Sequence, residues 1–316
     1  RMRAHAGAAA VLRQPPAILP SMTRAGIVTV VGKPNVGKST LLNRVVGTKL
    51  SIVSDKPQST RNRVVGIRTE NDVQMILLDT PGLLNPRYAL QQAMRGTAVK
   101  ALEEADAVLY LVDATAVGDE LTPLHEAAAL PHPPRAPVVL ALNKSDLLAP
   151  SARAAILTRV PSAHLISAAT GAGVDPLFAT LGALLPESPF LYPEDEISTQ
   201  TVRFFVAELI RETALEQLDE EVPYSIACEV EEYRETQTPI YIRAVVYVER
   251  ESQKRIFIGA GGQRIRAVGS AARAKIEAFV GAKVFLDLWV KVLPNWRRNT
   301  HALHRLGFRV PQDRAP

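Results

Sequence analysis

Two glycine-rich segments, far apart in the chain, carry the residue types that hold phosphate: Gly32-Lys33-Pro34-Asn35-Val36-Gly37-Lys38-Ser39, followed by Thr40, and Ile258-Gly259-Ala260-Gly261-Gly262-Gln263-Arg264-Ile265. In the first, successive backbone N–H groups and a following helix N-terminus form a concave anion site, and glycines let phosphates come close. Lys38 adds a cation at the β- and γ-phosphates of a nucleotide, and Ser39 offers a hydroxyl to Mg²⁺. Asp79-Thr80-Pro81-Gly82 ends an apolar run. There Asp79 can hold the Mg²⁺ hydration shell, and the Gly82 N–H can sense a γ-phosphate. Asn143-Lys144-Ser145-Asp146 ends another apolar run, and its Asp146 carboxylate matches the N1–H and 2-amino donors of guanine, a pair adenine lacks. Ser167-Ala168-Ala169 can give a backbone N–H to the guanine oxygen. Between these groups lies the polar stretch Lys56-Pro57-Gln58-Ser59-Thr60-Arg61. A hydroxyl there, Thr60 in preference to Ser59, can complete the Mg²⁺ shell only while γ-phosphate is present. Lys38, Thr60, Asp79 and Gly82 are therefore the expected hydrolytic group, and Ser39 and Thr60 the expected metal ligands.

The second segment has the spacing of a turn that clamps a single-stranded RNA backbone. Lys254, Arg255, Arg264 and Arg266 flank it and can neutralise phosphates, with Arg273 further along. Residues 252–298 hold 10 bases and 2 acids, whereas residues 194–235 hold 13 acids and 3 bases. A basic surface suited to phosphate thus follows an acidic element that could mask it. Aromatics are only 5% of the chain, which argues against a platform of many stacked rings. Trp289 alternates within an apolar run and is expected in the core. Trp296, beside Arg297 and Arg298, is the candidate for touching RNA.

The elements that must position these residues are legible from hydropathy. Ile27–Val31, Val64–Ile67, Val73–Leu78, Ala107–Val112 and Val138–Leu142 read as strands, with helices between them, for example over Leu90–Glu104. Alternation of this kind predicts a mostly parallel sheet covered on both faces, with motifs at the strand ends. Val202, Phe205, Val206, Leu209 and Ile210 predict an amphipathic helix. Strands follow at 225–232 and 240–248, a helical stripe at Ile265, Val268, Ala272, Ile276 and Phe279, and a strand at 284–292.

With 316 residues, 47% of them hydrophobic, two domains are expected. The single cysteine, Cys228, excludes an internal disulfide and a multi-cysteine metal site. No apolar run reaches the roughly 18–20 residues that span a bilayer. Residues 1–24, with four arginines and no acid, read as a disordered extension: a transit-peptide remnant or a non-native leader ahead of Met22. The divisions expected are a nucleotide domain at 25–185, a proline-rich acidic linker at 186–199 where coupling should lie, an RNA domain at 200–298 and a tail at 299–316.

These motifs resemble those of the Era family: GxPNxGKST, a KPQTTR-like switch in which Ser59 replaces the usual threonine, DTPG, NKxD and SAxxG. Val248-Glu249-Arg250-Glu251-Ser252-Gln253-Lys254 and Leu288-Trp289-Val290-Lys291-Val292 resemble the family's KH domain. The resemblance implies an α/β protein, a P-loop GTPase domain followed by a small type II KH domain, hydrolysing GTP with Mg²⁺; turnover is expected to be slow, because no water-orienting glutamine or internal arginine finger can be identified. K⁺ at Asn35 is a further cofactor it suggests. It also implies binding to small-subunit ribosomal RNA and the small ribosomal subunit, a role in rRNA processing and assembly, a monomeric state, and a cytoplasmic location with peripheral membrane contact. An organelle matrix is the alternative location if residues 1–21 are a transit remnant. A membrane-surface signalling GTPase is the alternative function, and an RNA-binding module with a merely structural GTPase half is a third reading. Two departures stand out. Leu83 follows Gly82 where Ras-like enzymes carry the water-orienting glutamine, and Ala260 and Gly261 lack the polar or basic groups common between the KH glycines.

Overall fold

The computed structural model describes residues 23–56, 58–83, 85–118, 121–218 and 222–311. The first half is a six-stranded sheet in the order β2-β3-β1-β4-β5-β6. Its strands are β1 (Arg24–Val31), β2 (Val64–Glu70), β3 (Val73–Asp79), β4 (Ala107–Asp113), β5 (Val138–Asn143) and β6 (His164–Leu165). Only β2 runs antiparallel to its neighbour; the other pairings are parallel. Val28, Val30, Leu77, Leu109 and Leu111 are buried against α1 (Lys38–Val46) and α5 (Val174–Leu184), which is why β1, β3 and β4 read as near-continuous apolar runs. Helices α2 (Ala89–Glu103), α3 (Leu124–Ala127) and α4 (Pro150–Arg159) complete this half.

The second half is a three-stranded sheet, β7 (Ala227–Arg234), β8 (Ile240–Val248) and β9 (Val284–Val292), in that order. Helices α6 (Val202–Gln217), α7 (Glu251–Ile258) and α8 (Gln263–Val280) share its core, where Val206, Ile210, Ala244, Val246, Val268 and Ile276 are buried together. Strand β7 is antiparallel to β8, and β8 is parallel to β9. Apart from Arg24, which opens β1, and Thr23, the extension expected at 1–24 lies outside the described residues.

Two expectations are corrected. Trp289 is 53% exposed. Val284 and Val290 on β9 turn inward, whereas odd-numbered Phe285 and Trp289 face outward and are exposed. Trp296 is fully buried, donates from Nε1 to Ser225 O at 2.8 Å and stacks on Phe308, so it is core and not an RNA contact. The stretch 186–199 is pinned along the first sheet. Ala25 N donates to Pro186 O, Ile67 N to Ile197 O, and Gln74 bonds both Leu191 and Tyr192.

Contacts between the halves lie elsewhere. Leu90, Ala93 and Met94 of α2 pack on Val245, Tyr247, Trp296, Leu303 and Phe308, so residues placed in a tail form part of the seam through α9 (Thr300–Arg305).

Candidate functional site

The loop after β1 enters α1 with Gly37 at φ 98°, a left-handed conformation that disfavours any side chain. A Cβ at Gly37 would also lie 2.2 Å from Asn143 Nδ2. No side chain caps the α1 N-terminus, so its amides stay available to an anion. Lys38 is buried, with Nζ donating to Lys33 O at 3.0 Å and Gly32 O at 3.3 Å. Burial lowers its pKa, and the Asp79 charge partly restores it. The ammonium thus rests on weak neutral acceptors inside the loop where phosphate oxygens are expected.

Asp79, at the end of β3, gathers hydroxyls. Ser39 Oγ and Ser51 Oγ each donate to its Oδ2 at 2.7 Å, and Thr60 Oγ1 lies 3.0 Å from Ser39 Oγ. Asp79 Oδ1 is buried with no hydrogen-bond partner. Burial raises the Asp79 pKa, with Lys38 and the hydroxyls acting in the opposite direction. An unpartnered buried carboxylate oxygen beside two hydroxyls fits a hydrated Mg²⁺, an oxygen-preferring ion. Of the two switch hydroxyls, Thr60 is brought to this cluster. Ser51 was not foreseen, since no motif marks it; Asn43 Oδ1 holds its N–H at 2.8 Å.

Gly82 packs on Pro34: a Cβ there would sit 2.9 Å from Pro34 N. The next residue, Leu83, donates its N–H to Gly32 O at 3.2 Å and is buried among Val31, Val108 and Tyr110. Thr80 Oγ1 donates to Val30 O at 2.9 Å, which fixes the start of this loop. Asn35 Nδ2 donates to Asp55 O at 2.6 Å, tying the phosphate loop to the segment that carries Thr60.

At the base end, Asn143 uses both polar atoms within the protein. Its Nδ2 donates to Val36 O at 2.7 Å and its Oδ1 accepts from Ala168 N at 2.8 Å. Asn143 therefore ties two loops together; with Ser167 N bonded to Ala172 O and Ala168 N to Asn143, Ala169 is the exposed member of Ser167-Ala168-Ala169. Arg44, unmarked by any motif, donates from Nε to Ala168 O at 2.5 Å and also holds Ala169 O. Lys144 pairs with Asp113 at 2.7 Å. Burial alone would raise the Asp113 pKa, but hydrogen bonds from Lys144 and Thr115 outweigh it and hold the carboxyl low. Asp146 is exposed. Pro34, Lys38, Ser39, Thr40, Thr60 and Lys144 line a cleft of about 160 Å³. A roomier concavity of about 600 Å³ lies beside α1 and β2, but Glu70, Asp175, Glu194, Asp195 and Glu196 line it against Arg44 and Arg68. That excess of carboxylates repels phosphate.

The second glycine loop joins α7 to α8. Gly259 has φ 71°, and a Cβ there would meet Arg264 Cβ at 2.8 Å. Ala260 and Gly261 are exposed, and no side chain caps α8. Arg266 Nη2 donates to Gly261 O at 2.7 Å and Arg264 Nη1 to Ile256 O at 3.3 Å, so both arginines brace the turn while their remaining donors face solvent. Arg255 is exposed and Lys254 half-buried beside them.

Comparison with known proteins gives matches over both halves. Residues 27–144 match the family model described as 50S ribosome-binding GTPase, and residues 221–297 the KH domain model. The chain is similar to GTPase Era of Carboxydothermus hydrogenoformans, 42% identical over 294 residues, covering 90% of this chain and 98% of the relative. It is 40% identical to GTPase Era of Staphylococcus haemolyticus over 301 residues, covering 92% and 99%. Among solved structures, it matches a single-site variant of Aquifex aeolicus Era bound to GDP and aluminium fluoride, with TM-score 0.81, 38% identity and coverage of 90% and 99%. Era in complex with MgGDPNP and nucleotides 1506–1542 of 16S ribosomal RNA matches with TM-score 0.80, 38% identity and the same coverage.

Proposed function

The chain belongs to the Era family of GTPases, and from that premise we propose that it hydrolyses GTP as a timed switch while its KH domain grips small-subunit ribosomal RNA during small-subunit assembly. The observation that carries the reading is convergence: Lys38, Ser39 and Thr60 line one cleft with Lys144, and Asp79 bonds Ser39 behind them. The α1 amides and the Lys38 ammonium take the phosphates, and Lys38 exchanges two backbone carbonyls for charged oxygens. Mg²⁺, bound with the nucleotide and held by Ser39 and Thr60 with Asp79 behind them, supplies electrostatic stabilisation of the transferring phosphoryl group. Asp146 accepts from guanine N1–H and the 2-amino group.

In the proposed reaction a water oxygen bonds to the γ-phosphorus, the bond to the bridging oxygen breaks, and GDP and phosphate leave. Leu83 has no polar group to aim that water, so main-chain groups of the 59–60 and 81–82 segments orient it. Arg61 and Arg211, the nearby guanidiniums, are engaged with backbone carbonyls. With both so engaged, slow intrinsic turnover is expected.

Gly259 to Gly262 receive the RNA backbone, with Lys254, Arg255, Arg264 and Arg266 supplying charge. Finer features belong to the same proposal: K⁺ held at Asn35, a monomer, and a cytoplasmic protein with peripheral membrane contact. Among the described residues no helix is long and apolar enough to cross a membrane.

Crosslinking to ribosomal RNA in GTP-analogue and GDP states, with mapping of the bound nucleotides, tests the reading. Small-subunit crosslinks that strengthen in one nucleotide state are expected; crosslinks indifferent to nucleotide, or lying elsewhere in the ribosome, would sink it. Salt-sensitive vesicle binding without RNA preference would favour the signalling alternative.

A further inference from the structure

Thr60 reaches the Asp79 cluster from a segment that the second half holds from outside. Lys49 Nζ pairs with Glu212 of α6 at 2.7 Å, and Val53 N donates to the same carboxylate at 3.3 Å. Lys56 Nζ donates to Leu215 O at 2.5 Å and to Leu218 O, at the end of α6. Around Thr60 the grip is tightest. Arg61 donates to Tyr224 O at 3.0 Å and to Ile226 O, and its guanidinium sits 5.8 Å from the Trp296 ring centre. From the opposite direction, Arg211 of α6 donates through Nη2 to Ser59 O, the carbonyl of the peptide that leads into Thr60. Glu208 orients that guanidinium with two bonds, at 2.9 and 2.6 Å.

We infer that Arg211 is a positioning residue for Thr60, so that a helix packed in the KH half completes the nucleotide site of the GTPase half. The deduction rests on the proposed role of Thr60 as a γ-phosphate and metal contact. A charge-assisted bond to a fixed carbonyl removes freedom from the adjoining residue, which is the freedom an order–disorder switch needs. Arg211 is 3% exposed and Nη1 lacks a partner, a placement that packing alone does not favour. Arg61 beside it is equally buried, and Glu208, which bonds Arg211, acts on Arg61 by its charge alone. The grip therefore contains its own repulsion: whatever shifts α6 shifts Thr60.

The test measures single-turnover GTP hydrolysis, affinity for GDP and for a non-hydrolysable GTP analogue, and melting temperature. The variants are Arg211→Gln, Arg211→Lys, Thr60→Ala and Arg211→Gln with Thr60→Ala. Arg211→Gln should slow hydrolysis by roughly tenfold to a hundredfold, the worth of one charged hydrogen bond, with GDP affinity unchanged within about twofold. Arg211→Lys, which keeps the charge and one donor, should fall between and guards against a folding defect. The double variant should be no slower than Thr60→Ala alone, because both act through one contact. Full-rate hydrolysis by folded Arg211→Gln, equal loss of GDP and GTP-analogue affinity, or additive effects with Thr60→Ala would each overturn the inference. If Thr60→Ala itself hydrolyses at full rate, the reading of the nucleotide site falls and takes this inference with it.

Discussion

The two glycine loops, proposed to take the same chemical group, are built to opposite designs. Around Gly37 the protein is already closed: Asn143 lies against it, Val36 O is occupied, and the charged groups beside it are buried. Around Gly261 nothing lies within 4 Å of an added Cβ, and Ala260 and Gly261 face solvent. The first loop is a socket assembled from four strand ends, where each group is fixed by others and losing one leaves a buried partner unsatisfied. The second is a handrail on one helix start, where cations add nearly independently. The contrast predicts steep, non-additive losses at the socket and shallow, additive ones at the handrail.

The largest effect should come from Lys38→Ala, which removes the only ammonium enclosed in the loop. Single-turnover hydrolysis should fall by roughly 10²–10³ or more, while RNA binding without nucleotide is retained; a loss below tenfold would break the socket picture. Asp79 gives the pH form of the same test. Its raised pKa means that its contribution to stability is present below the ordinary carboxylate range and lost as pH rises through the native value. Measured without nucleotide, the melting temperature of the wild type relative to Asp79→Asn should therefore improve as pH falls from 7 toward 4. A gap that is constant or moves the other way contradicts the burial of that charge.

Next come the tryptophans, which separate core from surface inside the second half. Trp296→Ala should cost about 3–5 kcal/mol in urea unfolding, as for other large buried rings, and Trp289→Ala less than about 1 kcal/mol. Their assignments were inverted in the sequence for a physical reason. Alternation along β9 gives the phase of its two faces, but which face is covered depends on α2 and on residues 300–311, which arrive from elsewhere in the chain. The phosphate loop was legible because its function constrains consecutive residues between one strand and one helix. Asp79 and Asn143 were legible because they end apolar strands, and Asp146 because it follows one at a short fixed spacing. Ser51, Arg44 and Asp113 were not, since each works through a contact dozens of residues distant with no spacing rule. The same limit hid the grip of α6 on residues 49–61. The proline-rich stretch 186–199 looked like the joint because composition marks irregular backbone, yet composition says nothing of where that backbone is pinned.

A middle-sized effect should come from Ala260→Asp combined with Gly261→Asp, which puts two carboxylates at the exposed turn. Gly261 has φ 55°, a conformation aspartate tolerates better than most residues, so folding should survive. Affinity for single-stranded ribosomal RNA should drop about tenfold to a hundredfold, judged by the worth of charge-assisted phosphate contacts, with basal GTP hydrolysis unchanged. Equal loss of hydrolysis would show that the two loops are not separable.

The smallest and most diagnostic change is in salt dependence. Arg255→Ala and Lys254→Ala each remove one cation without touching the turn's backbone. If the loop is a handrail, each should lower the slope of log affinity against log salt by about 0.7, the value for one phosphate of a single strand, and the double variant by the sum. Arg266→Ala should behave differently, because its guanidinium also braces Gly261 O. It should lose affinity at every salt concentration beyond what its slope accounts for, since an unbraced turn must be ordered by the RNA itself. A slope change for Arg266 identical to that of Arg255, with no excess loss, would make it one more independent cation and remove the last trace of socket-like design from the second loop.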